Sequence, residues 1–235
     1  MSSRAIGLII IAAISVVLMS GCALPTQTAS ATWSLGSVTD AITTRSASAS
    51  NSEDTGNYKL TVTASCHADE QLIGGGFSAG NVFEFALFVN ASYPANNAWT
   101  VKTDSISHYA IGVFAYCLRG EPSLGTRIVS GKDCPTGNMA LSHGITDQGA
   151  VTLCAAHHVA STSRATAPIT LNATRNGYQP QSGSVGCPTG ALALDGGSTV
   201  GLELTSFAGD AFASWQVVTG GDGAGEVYAN CVTFA

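Results

Sequence analysis

Short stretches in which apolar and polar residues alternate follow one another along most of the chain. Four of them are YKLTVTAS at 58–65, WTVKT at 99–103, IGVFAYC at 111–117 and WQVVT at 215–219. They are rich in β-branched and aromatic residues, and a period of two predicts β-strands. Turn signals such as Asn176-Gly177 separate such stretches, and no convincing amphipathic helical pattern follows residue 22. The pattern predicts an all-β fold built from many short strands.

The beginning of an internal repeat is visible at three cysteines. CHADEQLIGGGFSAG from Cys66 aligns without gaps with CPTGALALDGGSTVG from Cys187, which places Gly75-Gly76 over Gly196-Gly197. CPTGNMALSHGIT from Cys134 starts a third copy with the same four letters as the copy at Cys187. The chain therefore carries three copies of one strand-rich unit.

The ends of two copies agree as well. AWTVKT around Trp99 resembles SWQVVT around Trp215, and VFAYC ending at Cys117 resembles VYANC ending at Cys231. The middle copy is shorter, ends in GAVTLC at Cys154 and has no tryptophan. The repetition predicts disulfide-stapled repeats that form a β-sandwich or, alternatively, a pseudo-symmetric β-prism or trefoil.

The cysteines fit the same repeat. Apart from Cys22 there are six, and an even number in an exported chain indicates three disulfides. Joining the first cysteine of each copy to its last predicts the pairs Cys66–Cys117, Cys134–Cys154 and Cys187–Cys231. No C-x-x-C pair occurs, so a zinc-finger arrangement has no support. We expect no metal and no cofactor.

The N-terminal segment has the features of a targeting signal. Residues 5–20 are apolar and uncharged, and this stretch runs into the letters LMSGC at 18–22. This segment resembles the signal peptide and lipobox of bacterial lipoproteins, and the resemblance implies cleavage before Cys22 and lipidation of its thiol. We therefore expect a signal peptide at 1–21, a flexible tether at 22–56 that is poor in apolar residues, a first β repeat at 57–120 and the second and third repeats at 121–235, within one domain or two.

Composition and charge limit the classes of molecule that the protein is expected to bind. With Arg4 removed, eight basic residues face fifteen acidic ones. This balance argues against nucleic acid, which requires a basic surface. The expected location is extracytoplasmic, at a bacterial cell membrane, which the protein would contact through the lipid on Cys22. A glycan or a protein is a possible further ligand.

One stretch suggests catalysis. Gly76-Phe77-Ser78-Ala79-Gly80 fits G-x-S-x-G, the nucleophile elbow of serine hydrolases, and Asp104 with His108 would complete a triad order. The positions that match Ser78 in the other copies are Thr146 and Thr199, where the motif is not repeated although glycines are. We therefore favour a backbone role for these glycines, in a turn with positive φ or in a bulge, and treat the hydrolase as the alternative.

Two further sets of side chains are candidates for binding. Tyr93, Trp99, Phe207 and Trp215 could form a stacking surface for a sugar, although equivalent tryptophans in a repeat favour a core position. His143, at the glycine position of the middle copy, and the pair His157-His158 could approach a metal. We interpret these imidazoles as exposed or hydrogen-bonded.

The layout CP-x-G, double glycine, W-x-V and a final cysteine resembles cysteine-bounded repeats of uncharacterised exported bacterial proteins. The resemblance covers most of residues 57–235 and implies the disulfide-bounded β fold, with no catalytic residues to carry over. The sequence thus predicts a non-enzymatic, lipid-anchored binding or envelope-structural module.

Overall fold

The computed structural model describes residues 35–50, 59–80, 87–105, 109–120, 123–174 and 177–235, and most of them lie in antiparallel strands. The fold is all-β with three main sheets, as the alternation predicts. None of the described helices is long and apolar enough to cross a membrane.

The elements follow the repeat. The first copy comprises α1 (Leu35–Ala41), β1 (Ile42–Ser50), β2 (Lys59–Ser65), β3 (Glu70–Ala79), β4 (Leu87–Ala95), β5 (Ala98–Ser105) and β6 (Ala110–Arg119). The middle copy comprises β7 (Arg127–Ser130), β8 (Met139–Thr146) and β9 (Gly149–Ala155). The third copy comprises β10 (Val159–Leu171), β11 (Ala173–Thr174), β12 (Gly177–Tyr178), β13 (Gln181–Gly186), β14 (Leu192–Ser198), β15 (Leu202–Ala208), a 3-10 turn (Asp210–Phe212), β16 (Ser214–Gly220) and β17 (Gly223–Phe234).

The strands of one copy are divided between sheets. Sheet one has the order β1-β6-β3-β15-β16-β13, sheet two the order β7-β9-β8-β4-β5-β2, and sheet three the order β10-β17-β14, while β11 and β12 form a small ribbon. Half of sheet one therefore comes from the first copy and half from the third. Sheet two likewise joins the middle copy to the first.

Two kinds of element matter for the site. The central strands are β3, β8 and β14, which follow the first cysteine of each copy and contact one another pairwise. The Trp hairpins are β4–β5 and β15–β16, and each pairs with the central strand of another copy. In the middle copy β8 and β9 are joined directly through Asp147 and Gln148, so there is no third Trp hairpin. Three sheets around three central strands correspond to the prism alternative, with sheet three half-complete in the described part of the chain.

The copies agree in detail. Each central strand has a β-bulge at the same place, between the sixth and eighth residues after the first cysteine, next to Ile73, Leu141 and Leu194. These three side chains are buried at 0% exposure and belong to one hydrophobic core. A bulge that recurs in register is a designed feature of the unit rather than a local defect.

Three disulfides staple the copies. They join Cys66 to Cys117, Cys134 to Cys154 and Cys187 to Cys231, which is the pairing that the repeat predicts. Each bond connects the loop before a central strand to the strand that carries the last cysteine of the same copy. Three disulfides are consistent with an extracytoplasmic protein.

Part of the expected tether is folded. Residues 35–50, inside the segment 22–56 for which a flexible tether was expected, form α1 and β1. β1 pairs along its whole length with β6, and Arg45 forms an ion pair of 2.6 Å with the buried Glu70. Val38 of α1 is buried in the core. The expectation rested on the low apolar content of this segment. A strand at the edge of an existing sheet is held by backbone pairing, so it needs few apolar side chains.

The glycines at 74–76 lie within strand β3. Of the two backbone roles expected for them, the turn with positive φ is wrong, and the bulge is confirmed between Leu72 and Gly74. Gly74, Gly75 and Gly76 pair with β6, and none of them has positive φ. A Cβ at Gly75 would overlap the ring of Trp99, and one at Gly76 would overlap the carbonyl oxygen of Ser206. Close approach of neighbouring elements therefore requires these glycines, in addition to the bulge.

Candidate functional site: an open space beside sheet three

The two Trp hairpins fill equivalent spaces. Trp99 lies against Gly75 and Trp215 against Gly196, and both glycines stand nine residues after the first cysteine of their copy. Each indole N–H donates a hydrogen bond to a serine of its own hairpin, at 3.0 Å for Ser92 and 2.9 Å for Ser206. The two indoles are 2% and 1% exposed. These spaces are closed core.

The third space has no tryptophan. In the middle copy the ninth residue after the first cysteine is His143, with a side chain that is 38% exposed. Beside it is a cavity of about 570 Å³ that reaches both Trp99 and Trp215. The imidazole thus stands where the missing hairpin would have placed an indole.

Polar side chains from sheet three meet this histidine. Asp195 Oδ2 accepts hydrogen bonds from the backbone N–H of His143 at 2.8 Å and from the amide of Asn230 at 2.7 Å, and lies 3.1 Å from Nδ1 of His143. Asp195 is only 6% exposed. Burying a carboxylate is unfavourable unless hydrogen bonds compensate, and these contacts supply the compensation. The three groups form the centre of the site.

Asp195 and Asn230 are also departures from the repeat. Asp195 occupies the position of Gly74 in the first copy, and Asn230 that of Tyr116. Tyr116 packs edge-on against Trp215, with ring centroids 6.3 Å apart. The residue that meets an indole in sheet one is therefore an amide where the indole is missing.

Glu203 takes the place of hairpin backbone. Gly76 and Gly144, ten residues after their first cysteines, abut the carbonyl oxygens of Ser206 and Ser92 in the Trp hairpins. The equivalent Gly197 instead abuts the carboxylate of Glu203. That carboxylate also accepts a hydrogen bond from the backbone N–H of Ser198 on the same strand.

The strand register shows why that N–H needs a partner. Phe77 and Ile145, eleven residues after their first cysteines, pair with Ser206 and Ser92 of the Trp hairpins. Ser198 stands at this position in the third copy, where the described residues provide no hairpin. Glu203 Oε1 satisfies the donor that a paired strand would otherwise satisfy.

Positive side chains lie at the rim. Arg164 and Lys132 line the cavity and are exposed. The guanidinium carbon of Arg164 lies 3.8 Å from the ring centroid of Tyr228, which is a cation–π contact. The site therefore combines the buried carboxylate of Asp195 and the partly buried one of Glu203 with cations nearer to solvent.

The environment changes the proton affinity of the side chains. The hydrogen bond to Asp195 raises the pKa of His143, although burial opposes the change. Burial raises the pKa of Glu203 to about 7, and the negative charge of Asp195 adds to the effect. Burial raises the pKa of Tyr228 to about 12. Shifted acids that cluster in a cavity are typical of functional sites.

No family model and no curated protein matches the chain. Its site therefore has to be interpreted from its own geometry.

Ser78 is not at an elbow. It lies inside β3, paired with Gly112 and Thr205, and its Oγ is 3.4 Å from the hydroxyl of Thr205. Asp104 lies on β5 in sheet two, 3.4 Å from the ammonium of Lys59. His108 lies outside the described residues. The structure thus places Ser78 and Asp104 on different sheets, and Ser78 in regular strand where an elbow requires a sharp turn.

The aromatic residues proposed for stacking are mostly internal. Trp99 and Trp215 are buried, as the repeat favoured. Phe207 is partly buried with its ring centroid 5.8 Å from that of Phe114. Tyr93 is partly buried, and the ammonium of Lys102 lies 5.8 Å from its ring centroid. Cys22, the proposed lipidation site, lies outside the described residues.

One cluster of side chains of metal-ligating type lies in the described ranges, formed by Cys66, Glu70 and Cys117. Its two sulfur atoms are joined in a disulfide, and the Glu70 carboxylate is engaged by Arg45. These atoms are therefore not available to hold a metal ion. His143 is hydrogen-bonded, as we expected for this imidazole, whereas His158 lies in a bend with φ of 61°.

Sequence reasoning missed Asp195, Glu203, Arg164 and Asn230. A signal existed for the centre of the site, because the aligned ninth position reads glycine, histidine, glycine, and histidine occurs in the copy without tryptophan. Nothing in the alignment shows that the hairpin of one copy belongs to the sheet of another. Without that knowledge, residues of the third copy could not be assigned to the side chain of His143.

Proposed function

We propose that this chain is a lipid-anchored, extracytoplasmic binding module, and that its ligand occupies the open space beside His143. The observation that carries the proposal is the polar replacement of one of three equivalent spaces. Two are closed by Trp99 and Trp215, and the third is open and lined by His143, Asp195 and Glu203.

The side chains that replace the missing hairpin are polar rather than apolar. A space left by a lost hairpin could be closed at little energetic cost by larger apolar side chains. Here Asp195 is buried where another copy has glycine, and Asn230 is present where that copy has an aromatic ring. Buried polar groups lower the stability of the fold, so a set of them around a cavity needs an explanation. Ligand binding is the explanation that we favour.

The placement of Ser78 supports a non-enzymatic function. Its hydroxyl faces that of Thr205, and no hydrogen bond to a histidine or a carboxylate is made by Ser78 in the described part of the chain. A general base within hydrogen-bond reach is what a serine nucleophile needs. We therefore do not retain the hydrolase as a second candidate.

A fragment screen tests the binding site. The full chain in detergent micelles would be screened by ligand-observed NMR against a library of small polar fragments. The matched control is His143→Trp, which fills the open space with an indole as the hairpins do elsewhere. We expect fragments that bind the wild-type protein and are lost from His143→Trp.

A second blocking variant guards against misfolding of the first. Asn230→Tyr restores the residue type of the first copy and should also exclude fragments. Both variants would first be checked for a wild-type circular dichroism spectrum. Fragments that bind wild type and both folded variants equally, or a screen without binders, would refute the proposed site.

The anchor has a separate test. The letters LMSGC at 18–22 support lipidation at Cys22. We expect Cys22→Ser to release the protein from the membrane fraction into the medium, whereas Cys134→Ser with Cys154→Ser, which removes one disulfide and no lipidation site, should leave it membrane-bound. Retention of the Cys22→Ser protein in the membrane would contradict the anchor and leave the binding site untouched.

A further inference from the structure

The next step rests on the proposed function and concerns the class of ligand. We propose that the open space binds a small hydroxylated anion of the acidic monosaccharide type, with its carboxylate at Arg164 and Lys132 and its hydroxyl groups at Asp195 and Asn230.

The first argument is the distribution of positive charge. The chain is acidic overall, and most of its described cations are already neutralised by carboxylates. The ion pairs are Arg45–Glu70 at 2.6 Å, Lys59–Asp104 at 3.4 Å, Lys102–Asp147 at 3.6 Å and Arg119–Glu70 at 3.7 Å. Arg127, Lys132 and Arg164 form no ion pair with any described residue. Two of these three line the cavity, so the unneutralised positive charge is concentrated there.

The position of Arg164 suits a carboxylate. It stands opposite Asn230 in the pairing of β10 with β17 and stacks on Tyr228. The ring fixes the guanidinium, while none of the described acceptors takes a hydrogen bond from it. A guanidinium held in place with free N–H groups can bind a carboxylate with two parallel hydrogen bonds. Arg164 therefore provides a cation held against Tyr228, and Lys132 provides a second, exposed cation at the rim.

The inner part of the space suits hydroxyl groups. The hydrogen bonds that described residues make with the Asp195 carboxylate all reach Oδ2, from His143 and Asn230, which leaves Oδ1 as an acceptor on a residue that lines the cavity. A carboxylate oxygen accepts from a hydroxyl and repels a second carboxylate. The ligand should therefore present hydroxyl groups inward and its own negative charge outward.

Size and polarity agree with a sugar. A cavity of about 570 Å³ lies within the range of small-ligand pockets, which is roughly 300–1,000 Å³. Phe77, Trp99 and Trp215 border it but are at most 3% exposed. The side chain of Ile145, which is 64% exposed, also lines the cavity. A polyhydroxylated ring therefore meets donors and acceptors together with an apolar wall for its carbon atoms.

The titratable groups couple binding to pH. His143 faces Asp195 of β14, Arg164 of β10 and Lys132 of the loop after β7, and Glu203 faces Asp195 and Tyr228 of β17. Protonating His143 adds positive charge to the space, and protonating Glu203 removes negative charge from it. Both raise the attraction for an anion, so the affinity should increase as the pH falls from 8 to 6.

The experiment compares acids with their neutral parents. The full chain in detergent micelles would be titrated at pH 6 and pH 8 with glucuronate, galacturonate and N-acetylmuramate, and in parallel with glucose, galactose and N-acetylglucosamine. We expect at least one acid to bind about tenfold more tightly than its parent at pH 6, as charge-assisted hydrogen bonds would allow. That acid should bind more weakly at pH 8. Inorganic phosphate distinguishes an anion site without hydroxyl recognition, because it would then bind as well as the sugar acid.

Two arginine variants localise the charge. Arg164→Gln should weaken binding of the acid by about tenfold and leave the neutral parent unaffected. Arg127→Gln removes the same charge from an exposed strand that does not line the cavity, and should change the affinity by less than about twofold because of solvent screening. Equal weakening by both variants would overturn the assignment of Arg164.

The outcomes separate this inference from the proposed function. Neutral sugars that bind as tightly as acids, phosphate that binds as tightly as the best acid, or a panel without binders would each refute the acidic sugar. If fragments still bind wild type and not His143→Trp, the binding site stands and its ligand is of another class. If the fragment screen fails too, both proposals fall.

Discussion

The closed space at Trp215 and the open space at His143 are built from equivalent positions of the repeat. The first is part of the hydrophobic core, whereas the second is open to solvent. In the closed space a glycine on the central strand meets the indole of a Trp hairpin. In the open space the chain has no hairpin between β8 and β9, and a histidine stands in the place of the glycine. A repeat can therefore create a pocket by omitting one element.

The missing hairpin leaves the strands beside the open space without packing and hydrogen-bond partners. A hairpin supplies both an apolar side chain and backbone groups to the adjacent central strand. The chain replaces the backbone groups with the carboxylate of Glu203 and the aromatic contact with the amide of Asn230. Burial of apolar area is lost and hydrogen bonds take over, which gives a less stable but solvent-accessible surface.

We expect the largest loss of stability from a substitution that empties the closed space. Trp215→Ala removes a side chain that is 1% exposed and the hydrogen bond from its indole to Ser206. Large-to-small changes of this kind in a core cost about 3–5 kcal/mol of unfolding free energy. Denaturant unfolding with the disulfides intact would measure it.

The matched control is His143→Ala at the equivalent space. No indole packs there, and the side chain is 38% exposed, so we expect a loss below about 1.5 kcal/mol from the lost contact with Asp195. Equal losses for both variants would mean that the two spaces do not differ in packing. The comparison between closed and open would then fail.

The fold was largely accessible from the sequence, for a specific reason. The cysteines fix the alignment of the copies, and the alignment brings Leu72, Ala140 and Ala193 to the same side of the same bulge. Strand periodicity and disulfide pairing follow from that alignment. The strand β1 did not, because ITTRSASAS has few apolar residues and its order depends on the neighbouring β6.

The site was accessible only in part. The exchange of glycine for His143 can be read along the chain, since both belong to one column of the repeat. The partners of His143 cannot, because Asp195 and Asn230 belong to the third copy and meet it only through the division of copies between sheets. Contacts between copies depend on the assembly of three sheets, which leaves no periodic signal in the sequence.

The charge of Glu203 also distinguishes the open space from the closed one. Burial raises the pKa of Glu203 from its ordinary value of 4.5 to about 7, so between these pH values the folded protein holds a proton that the unfolded chain has released. Its contribution to stability therefore decreases as the pH rises through this window and is constant above it. Glu203→Gln should be more stable than the wild type at pH 8 by about 1–2 kcal/mol and similar to it at pH 5.

The glutamine keeps a carbonyl oxygen for the N–H of Ser198, so the variant tests charge rather than hydrogen bonding. Urea unfolding at several pH values would give the difference curve. Val89 takes the equivalent place in the first copy, because it pairs with Thr103 beside a bulge as Glu203 pairs with Thr219. It carries no charge, and Val89→Ile offers a control whose stability difference should not vary with pH. A Glu203→Gln difference that is constant from pH 5 to pH 8 would contradict the assignment.

The smallest effect concerns Ser142, the residue before His143. Its hydroxyl is buried and has no hydrogen-bond partner among the residues that the structure describes. Ser142→Ala removes an unsatisfied group and should raise the unfolding free energy by about 0.5–1 kcal/mol. Ser206→Ala makes the same chemical change in the closed space, where the hydroxyl accepts from Trp215, and should lower it by about 1 kcal/mol. Stability changes of opposite sign would confirm that the Ser206 hydroxyl is hydrogen-bonded and the Ser142 hydroxyl is not. A loss of stability in both variants would show that Ser142 has a hydrogen-bond partner in solution.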